Sequence, residues 1–168
     1  LGAIAFSSGL AAQLDVVLTL AQNGDHIVSS QNIYGGTVTQ FSITLRRMGI
    51  ETTFAPVDDY DAIRAAIKPN TKMLFAETIG NPSGALADVD ALAQIAHEAG
   101  IPLIVDNTFA SPMLFRPIDH GADVVVHSAT KFISGHGTVI GGVLIESGKF
   151  PWENGKFPLL SQPSPGYH

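Results

Sequence analysis

The sequence predicts an α/β fold, a mainly parallel sheet with helices on both faces. Short apolar runs alternate with helix-period patterns from one end of the chain to the other, the arrangement that strand–helix repeats need to build a parallel sheet. Several of the short runs, such as Leu103-Ile-Val105 and Val124-Val-Val126, are apolar on successive residues, which fits strands covered on both faces. With 45% apolar and only 14% charged residues over 168 positions, the chain can bury one sizeable core and is not disordered.

Each element follows from its own residues. Strands are predicted at 3–6, 26–29, 51–54, 72–76, 103–106, 124–127 and 142–145, and helices at 10–22, 36–48, 60–67 and 88–99. The first strand enters Ser7-Ser-Gly-Leu10, which starts a helix that is apolar nearly all round and is therefore expected to be buried. Asn23-Gly-Asp25 and Pro82-Ser-Gly84 are turn chemistry. The helix at 88–99 carries Val89, Leu92, Ala93 and Ala96 on one face; Asp88 can cap its start, and Gly100-Ile-Pro102 stops it. Residues 1–150 read as one α/β domain and 151–168 as an irregular, proline-rich tail of that domain. Strand order is not legible. The chain opens in mid-strand at Leu1 and closes in a loop, as an excised or incomplete piece would, and lacks the charged start and cleavage pattern of a signal peptide.

Composition excludes several partners. Nine basic residues face fifteen acidic ones, and Arg46-Arg47 is the largest basic cluster, so nucleic acid is not expected. Apolar runs are too short for a membrane span. Without cysteine there are no disulfides or thiolate metal sites, which suits a reducing cytosol. None of the six histidines lies in H-E-x-x-H; His97, His120, His127 and His136 read as helix, turn and strand-end residues, and no metal is expected.

The chemistry concentrates where apolar strands end. Lys131 closes Ser128-Ala-Thr-Lys131 after one strand, and Asp106 closes another. In an α/β sheet such ends open into the ligand crevice. A lysine flanked by the hydroxyls of Ser128 and Thr130, with a strand-end carboxylate nearby, suits pyridoxal 5'-phosphate: a Schiff base to the lysine, hydroxyls on phosphate, and Asp106 on the pyridine nitrogen. The lysine must be deprotonated to attack the aldehyde, and burial near positive charge would favour that. The glycines of Ser134-Gly-His-Gly137 would let backbone pass close to a ligand. Gly9 and Leu10 start a helix whose free amides can bind an anion. Tyr34, before Gly35 and Gly36, can stack on a flat heterocycle and move protons. Asn81, beyond Glu77 on a further strand end, can bond a cofactor hydroxyl.

Each of these has an ordinary alternative: an exposed lysine, a capping aspartate or serine, a loop tyrosine, a turn asparagine. Their combination is what carries weight. S-x-x-K also occurs in serine β-lactamases, but K-T-G is absent and Val105-Asp-Asn107 lies on the wrong side of the motif. The glycines from Gly135 to Gly142 fail the dinucleotide spacing.

In order along the chain, Ser8-Gly-Leu-Ala-Ala12, Tyr34-Gly-Gly36, Glu77-Thr-Ile-Gly-Asn-Pro82, Val105-Asp-Asn-Thr108 and His127-Ser-Ala-Thr-Lys131 resemble the cofactor domain of the Cys/Met-metabolism family of fold-type I pyridoxal-phosphate enzymes. The resemblance spans essentially the whole chain. It implies that Lys131 holds the cofactor and shuttles protons, and that Asp106 pairs with the pyridine nitrogen. Tyr34 would stack on the ring and Asn81 contact the phenolic oxygen. The amides of Gly9 and Leu10 and the hydroxyls of Ser128 and Thr130 would bind phosphate, and Thr108 joins the cofactor-binding set. Leu10 stands where methionine is often found.

The segment from Phe132 to Gly142, the stretch Phe150-Pro-Trp-Glu-Asn-Gly-Lys-Phe157 and the tail from Pro163 to His168 most resemble O-acetylhomoserine sulfhydrylases. That implies γ-replacement of acetate in O-acetylhomoserine by sulfide or a thiol, giving homocysteine or methionine, in a cytoplasmic homo-oligomer. The γ-lyases and cystathionine γ-synthases share the residues named and remain alternatives, as does a non-catalytic cofactor-domain fragment. Family members are longer at both ends, where they carry further phosphate and substrate ligands. The resemblance therefore implies that this chain alone binds cofactor weakly and turns over little or nothing.

Overall fold

The computed structural model describes residues 1–163 and Gly166, and these form one seven-stranded sheet. The rest of the tail stretch from Pro163 to His168, part of the resemblance, lies outside the described residues. The strands are β1 (Gly2–Phe6), β2 (His26–Ser30), β3 (Glu51–Ala55), β4 (Thr71–Glu77), β5 (Leu103–Asp106), β6 (Val124–Ser128) and β7 (Gly142–Glu146). They lie in the order β1-β7-β6-β5-β4-β2-β3, and β7 runs antiparallel to both its neighbours while the other pairings are parallel. Every predicted strand is present, within one residue at each end.

The successive apolar residues serve two cores. On one face Ile27, Phe75, Ile104 and Val126 pack under Val16, Val17 and Leu20 of α1 (Gly9–Leu20), with Phe41 and Leu45. On the other, Val28, Leu74, Val105 and Val125 meet Ile63 of α4 (Tyr60–Ala66) and Leu92, Ile95 and Ala96 of α5 (Val89–Glu98). Alternate residues of each strand point to opposite faces, so a strand feeding both cores must be apolar throughout. Asp59 and Asp88 cap α4 and α5 by accepting from Ala62 N at 2.9 Å and Ala91 N at 3.0 Å.

Two helices differ from expectation. Only one face of α1 is buried; Asp15, Leu18 and Thr19 are exposed, because the helix lies on the sheet with nothing above its outer side among the described residues. The segment expected as a single helix at 36–48 is α2 (Gly35–Thr39), a π turn (Gln40–Thr44) and α3 (Leu45–Arg47). The Gln40 side chain, at the start of the π turn, donates Nε2–H to the Leu10 carbonyl at 3.1 Å. Short α6 (Ser111–Leu114), the 3-10 turn Pro117–His120 and α7 (Pro158–Ser161) were not foreseen, being too short to show a period. The tail is anchored by aromatic residues: Phe150 and Phe157 are buried with Trp152 against the α1-side core. No helix among the described residues is long and apolar enough to cross a membrane.

Candidate cofactor site

Parallel strands deliver their C-terminal ends to one edge of the sheet. Glu77 pairs in register with Asp106, and Asp106 with Val126. Two residues beyond Val126, Ser128 returns to the same face, the face that α1 covers. β1 joins this edge through β7, since Gly142 lies opposite both Phe6 and Ser128. The loops after β1, β2, β4, β5 and β6 therefore surround one place.

At the start of α1, Ser8 is the N-cap: its Oγ accepts from Ala11 N at 3.1 Å and its carbonyl from Ala12 N at 3.1 Å. The amides of Gly9 and Leu10, the first in the helix, have no intrahelical acceptor, and the helix dipole adds positive character there. A β-carbon on Gly9 would lie 2.7 Å from Ser128 Cβ and 2.8 Å from Ser128 Cα. Glycine therefore lets the helix start sit directly against the end of β6. Any side chain on Gly142 would strike the Ser8 carbonyl in the same way.

Asp106 is buried and closely held. Thr108 donates to its Oδ1 twice, from the backbone N–H at 2.9 Å and from Oγ1–H at 2.5 Å. Gln13 Nε2–H donates to Oδ2 at 2.6 Å, and Thr37 Oγ1–H donates to Gln13 Oε1 at 2.9 Å. Thr108 Oγ1 in turn accepts from Ser128 N at 2.8 Å. Burial pushes the Asp106 carboxyl above its ordinary range, and the donors from Thr108 and Gln13 oppose the rise without cancelling it.

Glu77 ties two loops together. Its carboxylate accepts from the backbone N–H of Tyr34, at 2.7 Å, and from that of Asn81. Burial outweighs both bonds, with the Asp106 charge adding to it, and moves the Glu77 carboxyl from 4.5 to about 8. Tyr34 is half-exposed at the mouth of the site, and any side chain on Gly36 would strike its ring. Asn81 is partly buried in the loop after β4, with a cis bond to Pro82.

Lys131 occupies the turn beyond β6, where its N–H bonds the Ser128 carbonyl at 3.1 Å. It is exposed, so the burial that would favour its deprotonation is not supplied by this chain's described residues. Thr130 Oγ1 donates to the Gly141 carbonyl at 3.2 Å and accepts from Gly141 N at 3.1 Å. As it stands, that hydroxyl fastens the lysine turn to the entry of β7. The Thr108 hydroxyl likewise spends its proton on Asp106, so it serves the carboxylate.

Sequence reasoning missed Gln13 and Thr37 and gave Glu77 no task. A single buried amide in an otherwise apolar helix face was the available signal for Gln13.

These residues fit a phosphorylated pyridine aldehyde. A helix start lacking side chain at Gly9 lies beside Ser128 for an anion, and a buried carboxylate supplies an acceptor for a ring N–H. A primary amine follows in the next turn. The profile of the family described as "Cys/Met metabolism PLP-dependent enzyme" matches residues 1–160. The chain belongs to this family. The Cys/Met-metabolism relatives include a homocysteine synthase of Schizosaccharomyces pombe, 52% identical over 99% of this chain and 39% of the relative. An O-acetyl-L-homoserine sulfhydrylase of Corynebacterium glutamicum is 50% identical, again over 99% of this chain and 39% of its own length. The fold matches a crystal structure of a putative O-acetylhomoserine (thiol)-lyase from Campylobacter jejuni, with TM-score 0.96 and 41% identity over 99% of this chain and 42% of that one. That protein contains a pyridoxyl-lysine monophosphate. The chain spans about 40% of the length of these curated relatives.

Proposed function

We propose that this chain forms the cofactor half of an enzyme that replaces the acetate of O-acetylhomoserine with sulfide or a thiol, giving homocysteine or methionine. The observation that carries this reading is the juxtaposition at one sheet edge of Asp106, Ser128 and the Gly9–Leu10 amides with the Lys131 turn. The relatives named for homocysteine synthesis and O-acetylhomoserine sulfhydrylation support the choice of substrate.

Pyridoxal phosphate, when bound, supplies an electron sink for negative charge developing at Cα and Cβ of the amino acid. The chain's own residues hold it and move protons. Asp106 would accept the pyridine N–H, and a charged acceptor there would keep that nitrogen protonated. The Gly9 and Leu10 amides and the Ser128 Oγ hold phosphate at the positive end of α1, with Thr130 joining if its bond to Gly141 is exchanged. The Tyr34 ring covers the heterocycle, and Asn81 donates to the phenolic oxygen. Lys131 would be the amine that anchors the cofactor; once freed by the incoming substrate amine, its Nζ would be the base for the Cα proton, with the Tyr34 hydroxyl as the second proton carrier.

The segments after β5 and β6 carry exposed apolar residues, among them Phe109, Met113, Leu114, Phe132 and Ile140, with the Phe109 and Phe132 rings in contact; such a surface suits covering by another copy of the protein. A homo-oligomer fits this surface, and the absence of cysteine suits the cytosol. The test is a product assay of the complete protein. Homocysteine formed only when O-acetylhomoserine and sulfide are both present supports the reading. Ammonia and a 2-keto acid formed without added thiol would instead assign γ-elimination.

A further inference from the structure

Gln13 is nearly fully buried in an α1 face whose other inward residues, Ala12, Val16, Val17 and Leu20, are apolar. A primary amide in such a place is costly unless its groups are bonded. Gln13 bridges three elements: Thr37 of α2 donates to its oxygen at 2.9 Å, and its nitrogen donates to Asp106 at the end of β5 at 2.6 Å. We propose that Gln13 is the positioning residue that aims Asp106 at the pyridine nitrogen, with Thr37 fixing which end of the amide faces the carboxylate. This rests on the cofactor reading above.

The choice of residue type follows from chemistry. An ionised carboxylate only accepts, so it requires the NH₂ end of the amide. The Thr37 hydroxyl, giving its proton to Oε1, holds that end in place. A lysine or arginine at position 13 would neutralise Asp106 and compete with the ring N–H for it, and a glutamate would repel it. Glutamine donates without bringing a positive charge, so it does not compete with the ring N–H for the Asp106 charge. With Thr108 on Oδ1 and Gln13 on Oδ2, the carboxylate plane is set from both sides, and Oδ2 keeps a lone pair for the ring.

The test uses the complete protein loaded with pyridoxal phosphate carrying ¹⁵N in the ring, at one fixed neutral pH. The ring-nitrogen NMR shift reports protonation and does not depend on turnover. In Gln13→Met the shift is expected to move toward the unprotonated value, with cofactor affinity lowered about tenfold to a hundredfold. Thr37→Val, which only exchanges a hydroxyl for a methyl, is expected to move the shift the same way by a smaller step, and Thr37→Ser to restore it. The valine variant gives the answer if Gln13→Met does not fold. A native shift in the folded Gln13→Met protein, or in Thr37→Val where that is the variant that folds, overturns the proposal. Failure of the unsubstituted protein to bind the cofactor overturns the underlying reading, and that appears before any substitution is made.

Discussion

Asp106 and Glu77 are neighbours in register, yet the structure treats their charges differently. Asp106 receives three donated bonds from Thr108 and Gln13, whereas Glu77 receives only backbone N–H groups and is pushed to about 8. Burial raises both carboxyls, but only Asp106 has side-chain donors opposing the rise, while Glu77 is carried to about 8. Asp106→Asn removes the charged acceptor, and a bond to a charged group is worth about 1.5–3 kcal/mol. Turnover is expected to fall at least about tenfold, which steady-state assays of the complete protein would check. For Glu77, the folded chain binds the proton more tightly than the unfolded chain, whose value stays near 4.5. Its contribution to stability is therefore complete below about 4.5 and is lost as pH rises through about 8. Glu77→Gln is expected to flatten that part of the stability–pH curve measured by urea denaturation, and an unchanged slope would remove Glu77 as its source.

Among the elements, the contact of α1 with β6 depends on Gly9. A methyl group there would press on the Ser128 backbone, which cannot yield as a flexible side chain could. Gly9→Ala is expected to cost about 1–3 kcal/mol, read as a lower denaturation midpoint, and to weaken phosphate binding in the same variant. Native stability and affinity would show that the helix start has room to move. All seven strands were legible because each is a short apolar run closed by polar residues, and α5 because its cap and period agree. Strand order was not legible, since periodicity carries no record of which strand pairs with which. The burial of α1 was overestimated because apolar content alone does not say which side meets the sheet. The π turn after α2 had no sequence marker, and α6 and α7 were too short to show one. Within the site, Asp106, Ser128 and Lys131 stood out by their position after apolar strands. Thr108 and Thr130 were read as ligands, but in the structure their hydroxyls bond Asp106 and Gly141; residue type shows that a hydroxyl can bond, and only the fold shows to what.

For the whole molecule, the sheet edge proposed to hold the cofactor lies within this chain, which covers about 40% of the length of its curated relatives. Lys131 is exposed, as are the apolar side chains of Phe132 and Ile133 that follow it and of Leu114 in α6. The isolated 168-residue chain is expected to show no measurable γ-replacement, and robust turnover by it would refute that division of labour. The complete protein is expected to sediment as an oligomer, and a charge placed on this apolar surface, as in Leu114→Asp, to shift it toward monomer. The most direct test of the central claim is borohydride reduction of the complete protein with pyridoxal phosphate, followed by peptide mapping. The account predicts a visible absorbance band that reduction abolishes, with the label on Lys131. A folded protein that shows no such band, or carries its label mainly on Lys68, Lys72, Lys149 or Lys156, would contradict it.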